Sequence, residues 1–298
     1  MSKLYPIGIQ NFEKIRKEGY VYIDKTAMIY QLVKTGNYYF LSRPRRFGKS
    51  LLISTLEAYF QGKKELFTGL AMEKLEKDWI AYPILHLDLN TENYSIPQSL
   101  ELKLERALSA WEQLYGSDPA EKSLASRFEG IIQRAYEKTG QRVVILVDEY
   151  DKPMLQAIGN EALQTAYRNT LKGFYGALKS KDGCIRFGIL TGVTKFSKVS
   201  VFSDLNNLDD ISMWNEFIEI CGISDRELEI NFKDDLHELA DANGMTYEAA
   251  REKVKQYYDG YHFTHNSIGM YNPFSLLHTF KRKEFGSYWF ATGTPTYL

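Results

Sequence analysis

Two cysteines in 298 residues cannot make a disulfide framework. Cys184 and Cys221 both sit in apolar runs, G-C-I-R-F-G-I-L and F-I-E-I-C-G-I, that read as buried strand. Such usage belongs to a reducing compartment, and a cytoplasmic location is expected. Long hydrophobic runs are missing too. The longest unbroken aliphatic stretch is 143–147, and the opening M-S-K-L-Y-P-I-G-I-Q-N-F-E-K has no signal-peptide core, so no membrane partner is expected. Charge of one sign is absent: 37 Lys plus Arg face 38 Asp plus Glu, a net charge of −1, and no whole-chain field would hold the protein on nucleic acid. The histidines (86, 237, 262, 265, 278) are scattered without the spacing of a zinc site. No G-x-S-x-G turn supports acyl hydrolysis, and no N-K-x-D segment supports guanine reading.

What is there is ordinary globular composition, 44% apolar and 25% charged, in a chain long enough for one large domain or two. Hydrophobic spacing predicts helices over 7–19 and 24–35, the second opening on Asp24 and stopping at Gly36. A strand at 38–41 precedes a helix at 48–60, marked by Leu51, Leu52, Leu56 and Phe60. Further strands are expected at 83–89, 143–147, 185–191 and 217–221, with helices at 97–115, 119–138 and 161–178. The run at 143–147 is apolar on both faces, as a central parallel strand must be. Strands alternating with helices predict an α/β fold, a parallel sheet covered by helices over 1–222. Past Gly222 the texture turns helical (225–229, 232–242, 246–258), and 223–298 reads as a smaller second unit. The last residues, T-P-T-Y-L, lack a polar tail, and a longer natural protein is expected to continue beyond them.

Between the first strand and its helix lies S-R-P-R-R-F-G-K-S at 42–50, where a phosphate-cradling loop belongs. In such loops backbone N–H groups and a helix start surround phosphate oxygens, the lysine neutralises charge, and the hydroxyl ligates Mg²⁺. Gly48, Lys49 and Ser50 fit, whereas Arg43 stands where the first glycine is usual and Pro44 fixes a neighbouring φ. Arg45 and Arg46 add charge-assisted donors, so the binding stretch is Arg45, Arg46, Phe47, Gly48, Lys49, Ser50 and Leu51. The bland alternative is a solvated basic turn beside a chance tripeptide.

The strand 143–147 ends in Asp148 and Glu149. In a parallel sheet that end shares a rim with the loop, which would let Asp148 hold Mg²⁺ and Glu149 orient or deprotonate a lytic water. An acidic helix start is the competing reading. The strand at 185–191 ends in Thr191, a candidate sensor hydroxyl beside the carboxylates, though Thr is also an ordinary strand-ending residue.

Together with Y-V-Y-I-D-K-T at 20–26, V-D-E-Y-D-K-P at 147–153, T-G-V-T-K-F-S at 191–197, F-S-D-L-N-N-L at 202–208, Y-D-G-Y-H-F at 258–263 and Y-N-P-F-S-L-L at 271–277, the loop resembles the bacterial AAA-ATPase-like family over nearly the whole chain. That family is similar to archaeal and STAND-type P-loop ATPases of the ASCE class, in which a helical or winged-helix lid follows the core. The resemblance implies ATP and Mg²⁺ as cofactors, phosphate and metal binding by Lys49 and Ser50, a Walker B pair at Asp148 and Glu149, and Thr191 at the sensor position. An arginine at position 43 is usual within the family. Related ATPases seat adenine just upstream of the first strand, which puts Tyr22 beside the base, against the alternative of a core aromatic. Longer members carry a PD-(D/E)XK nuclease-like region, a possible C-terminal partner domain.

The leading expectation is hydrolysis of Mg-ATP that drives or gates a change in an attached or partner effector. The alternative is a nucleotide-dependent switch that does not hydrolyse and regulates a nuclease-like region. A kinase is disfavoured because the acidic pair points to water as acceptor. Arg186 and Arg226 are candidate fingers, Asn206 and Asn207 a candidate partner loop. The basic run T-F-K-R-K at 279–283 is a candidate nucleic-acid surface that is more simply a solvated helix face.

Overall fold

The computed structural model describes residues 3–194, 208–264 and 268–288. Asn206, Asn207 and His265, and much of the segments at 191–197 and 202–208, lie outside them. Five strands, Tyr38–Ser42 (β1), Ile84–Asp88 (β2), Val143–Asp148 (β3), Ile185–Gly192 (β4) and Asp209–Asp210 (β5), form a parallel sheet ordered β2-β3-β4-β1-β5. Around them run Phe12–Lys17 (α1), Thr26–Thr35 (α2), Lys49–Phe60 (α3), Ala71–Leu75 (α4), Ser99–Tyr115 (α5), Leu124–Thr139 (α6), Lys152–Gln156 (α7), Glu161–Tyr175 (α8) and Ala177–Ser180 (α9). This is an α/β fold, a parallel sheet covered by helices.

Every residue of β3 is buried, and the alternation of side chains assigns each to one of two layers. Val143, Ile145 and Val147 join Leu104, Phe128 and Leu171 from α5, α6 and α8. Val144 and Leu146 join Leu32, Leu56 and Phe60 from α2 and α3. Two aromatic rings, Phe128 and Phe174, stack 4.3 Å apart where α6 meets α8. Because every pairing is parallel, all five strands deliver their C-terminal ends to one rim. β4 lies between the strand that feeds the basic loop and the strand that ends in carboxylates. Val147 stands opposite Leu190, which sets Asp148 level with Thr191.

Several expected elements differ. The fifth strand is Asp209–Asp210, and 217–221 is not a strand; Asn215–Ile220 is a 3₁₀ helix. A short apolar run does not distinguish buried strand from buried helical turn, and here Arg43 takes up the carbonyls of Phe217 and Ile218. The first helix is confined to Phe12–Lys17, capped by the Asn11 side chain, because residues 6–10 are drawn to the sheet rim. Asp24 is not the residue next to α2; its Oδ1 takes the Thr26 amide and hydroxyl while Oδ2 takes the Ala71 amide, tying α2 to α4. Cys184 closes a 3₁₀ turn ahead of β4, and Cys221 precedes the next strand in a buried loop.

Beyond Gly222, Ile223–Ser224 (β6), Met270–Tyr271 (β8) and Asp259–Tyr261 (β7) form a small antiparallel sheet in that order. Asp225–Ala242 (α10), Tyr247–Tyr258 (α11) and Pro273–Arg282 (α12) pack on it. The two helices expected at 225–229 and 232–242 are one, kinked at Phe232. Their apolar cluster, with Leu228, Phe232, Leu236, Leu276 and Phe280, also takes Tyr5, Ile7, Val21 and Ile23 from the start of the chain. The nearly buried Lys25 pairs with Glu227 at 2.5 Å across that contact. Among the described residues, no helix is long and apolar enough to cross a membrane.

Candidate functional site

The C-terminal rim of the sheet opens into a cleft of about 850 Å³. The loop between β1 and α3 gives it Arg45, Arg46 and Gly48, the first turn of α3 gives it Lys49, Ser50 and Leu51, and the end of β3 gives it Glu149. Gly48 caps α3 with φ 97°, a left-handed turn that glycine makes without strain. The first amides of a helix have no intrahelical acceptor, so this start is suited to an anion.

Lys49 is only 4% exposed. Its ammonium donates to the carbonyls of Arg43 (3.0 Å) and Pro44 (3.4 Å) and lies 3.1 Å from Glu149 Oε1. The loop and the acidic strand end therefore meet in one ion pair. Glu149 has φ 54°, a conformation that costs a non-glycine residue about 1 kcal/mol and that collects at functional sites. Burial pushes its carboxyl upward, the charges of Asp151 and Asp148 push the same way, and Lys49 opposes them. A carboxylate so placed is primed to take a proton.

Asp148 and Thr191 are buried at the same rim, where the Thr191 hydroxyl donates to Asp148 Oδ1. Asp151, which carried no role in the sequence reading, joins the two strand ends from below. Its Oδ2 accepts the amides of Val193 (3.0 Å) and Thr194 (2.7 Å) and the Thr194 hydroxyl (2.7 Å). A Cβ on Gly192 would fall 2.4 Å from the Tyr150 ring and 2.7 Å from Asp151 Oδ1, so this close approach requires glycine.

The remaining expected residues fall elsewhere. Phe47 is wholly buried, its ring 4.6 Å from Tyr261 and 5.7 Å from Phe263, so it anchors the loop on the C-terminal part and offers the cleft no side chain. Tyr22 and Phe47 line a smaller apolar cavity of about 100 Å³ together with Val21, Ile23, Leu51 and Cys221. That cavity and the cleft share Pro6, Gly48, Leu51, Pro273 and Leu277 and are contiguous. Tyr22 also packs edge-on against Phe12, so it belongs to the core and to the cavity wall at once. Arg186 sits at the opposite end of β4, bonded to the Val33 carbonyl, and Arg226 is exposed on α10; neither lines this cleft. In the basic run, Lys283 pairs with Glu238 and Arg282 lies over Tyr288, while Thr279 and Phe280 are buried.

A sequence model of the family described as Predicted AAA-ATPase matches residues 6–202, the stretch that carries β1 to β4, the loop and the acidic pair. The chain belongs to this family. It is also similar to a protein of Azotobacter chroococcum mcd 1 described as "Uncharacterized protein in vnfD 5'region", 41% identical over an alignment of 298 residues that covers 99% of this chain. The chain spans 55% of that relative's length.

Membership in an AAA-ATPase family implies nucleotide and usually Mg²⁺, and the residues at the rim fit both. Among the described residues the Ser50 hydroxyl has no hydrogen-bond partner and Asp148 Oδ2 is uncommitted, which leaves a hydroxyl and a carboxylate oxygen, the hard donors Mg²⁺ prefers. Sequence reading of this AAA-ATPase-like chain missed several contributors to the cleft: residues 6–10, Asn90 and its neighbours, Lys152 and the residues that follow it at 155–158, and the α12 residues Phe274 and Leu277. Lys152 and Phe274 stood inside motifs already noted, whereas 6–10 read as helix and gave no signal.

Proposed function

We propose that this AAA-ATPase-like chain binds Mg-ATP in the rim cleft and hydrolyses it. The observation that carries the reading is the single cleft into which Lys49, Ser50 and Glu149 all open, contiguous with an apolar cavity of a character suited to a base. The base lies against Tyr22, Leu51 and Ile23, and the phosphates run past Gly48 towards the acidic strand end. Lys49 leaves its loop carbonyls for the β and γ phosphates; Ser50 and Asp148 would hold Mg²⁺, which would supply neutralisation of the developing charge there. Glu149, released from Lys49, orients water and accepts its proton as the oxygen bonds to the γ phosphorus and the bond to the ADP oxygen breaks. Thr191, which is wholly buried and does not line the cleft, acts through Asp148, whose Oδ1 its hydroxyl holds.

Lys49→Ala is expected to abolish binding of Mg-ATP, and Glu149→Gln to retain binding while slowing turnover by about 10²-fold or more, read by calorimetry and by phosphate release. Equal affinity in the wild type and Lys49→Ala rejects the site. The non-hydrolysing switch has one observation in its favour: the lysine and the glutamate neutralise each other in this structure, as in a resting state. Single-turnover phosphate release separates the two, since a switch binds ATP and releases none. In either case residues 223–288, which bear on the loop through Phe47 and Phe274, form the lid that carries the nucleotide state to an effector, such as a nuclease-like region of a longer chain.

A further inference from the structure

The far wall of the cleft carries charge that the reaction above leaves unused. We propose that Lys152, beyond Lys49 and the loop arginines, is a further cation of the site, supplied by the same chain, which donates to an oxygen of the terminal phosphate; this rests on the Mg-ATP reading.

Lys152 lies three residues beyond Glu149 and lines the same cleft. Its ammonium is fixed by Asn90, through the main-chain carbonyl and through Oδ1 at 2.9 Å. Asn90 is fixed in turn, its amide donating to Asp88 Oδ1 at 2.7 Å at the end of β2. The lysine tip is thus held from the β2 side of Glu149, while Lys49 reaches Glu149 from the β1 side. The two cations differ in one respect. Lys49 has a carboxylate partner, whereas among the described residues Lys152 has no ion-pair partner, and Asn90 receives its hydrogen bonds. An ammonium with two N–H groups on neutral oxygens has a third for a ligand. Glu149 and Asp88 act on this charge without pairing to it and Arg45 opposes it, so an ammonium partly withdrawn from water at a polar cleft keeps an N–H that an anion can take.

Position selects the phosphate. The apolar cavity adjoins the cleft at Gly48 and Leu51, and Lys152 does not line it, so its end of the cleft is the one remote from the base and next to Glu149. Five stretches of this one chain wall the cleft: 6–10, 45–51, 90–95, 149–158 and 273–277. Lys152 therefore offers its charge to the terminal phosphate from within the same chain. No proton moves to or from Lys152; its N–H strengthens on the equatorial oxygen as the bond to ADP breaks.

The test compares wild type, Lys152→Ala, Lys152→Arg and Asn90→Ala for affinity towards Mg-ATP and Mg-ADP and for single-turnover phosphate release. Lys152→Ala is expected to weaken ATP about 10-fold with ADP unchanged and to slow phosphate release about 10²-fold or more. Lys152→Arg restores most of both, and Asn90→Ala, which keeps the lysine but removes one anchor, falls between. If the protein does not hydrolyse ATP, loss of the ATP-over-ADP preference alone decides. Equal weakening of ATP and ADP, or wild-type release in Lys152→Ala, overturns the proposal while the Lys49 site stands. A wild-type protein that binds no nucleotide overturns the Mg-ATP reading itself, and this inference with it.

Discussion

Arg43 occupies the position where phosphate loops in general have glycine, and its side chain is turned away from the cleft. The guanidinium is 1% exposed and donates to the carbonyls of Ser42 (2.9 Å), Ser212 (2.8 Å), Phe217 (3.2 Å) and Ile218 (3.4 Å), with the Phe263 ring 4.0 Å away. Burial pulls its pKa down, yet arginine keeps its proton under any ordinary condition. Arg43→Gly, which writes the general loop pattern back into the chain, is therefore expected to destabilise the fold by about 2–4 kcal/mol, because buried carbonyls lose their donors. Urea unfolding measures this, and an unchanged midpoint contradicts it. The sequence told us that Lys49 and Glu149 belong together, since a basic loop and an acidic strand end are each recognisable locally. It could not say that Arg43 and Phe47 point into the protein, because the direction of a loop side chain is set by segments that arrive much later in the chain.

At the scale of elements, α3 and β2 are tied by His86 and Glu57, with Nδ1 and Oε2 3.2 Å apart. Burial alone draws the imidazole pKa down, but the Glu57 carboxylate outweighs it, with Asp148 and Asp88 adding to the effect, and the net shift is upward. A raised histidine pKa contributes stability that is complete below the unfolded value of about 6.5 and is lost as pH rises through the folded value. Glu57→Gln is thus expected to lower the melting temperature at pH 5.5 and to leave it nearly unchanged at pH 8.5, with an effect below about 1 kcal/mol for a partly exposed pair. Equal losses at both pH values dismiss the linkage. The same scale shows where periodicity worked. β3 and β4 were legible because both faces are apolar, and α3 because Leu52, Leu56 and Phe60 share one side. β5 was not, since two aspartates paired only with Tyr39 and Phe40 carry no strand signature.

For the whole molecule, the start of the chain and its C-terminal helices share one apolar cluster. A protein ending at residue 222 would expose Tyr5, Ile7, Val21 and Ile23 and leave Lys25 without Glu227. Such a truncation is expected to lower the urea midpoint and to self-associate at micromolar concentration, as measured by unfolding and light scattering; a monomer of unchanged stability would show that 223–288 is dispensable to the fold. The change of texture near Gly222 could be read, but the return of the first residues to the elements beyond it could not, because contacts so distant in sequence leave no local pattern.

The first residues are also stitched to α10, where Lys3 donates to the Asn231 carbonyl at 2.6 Å and both Lys3 and Tyr5 bond Asp235. The segment that follows at once, 6–10, is a wall of the cleft. Trimming the protein by five residues would therefore unfasten that wall. Any occupant would be expected to escape faster, although no atom touching it had been altered.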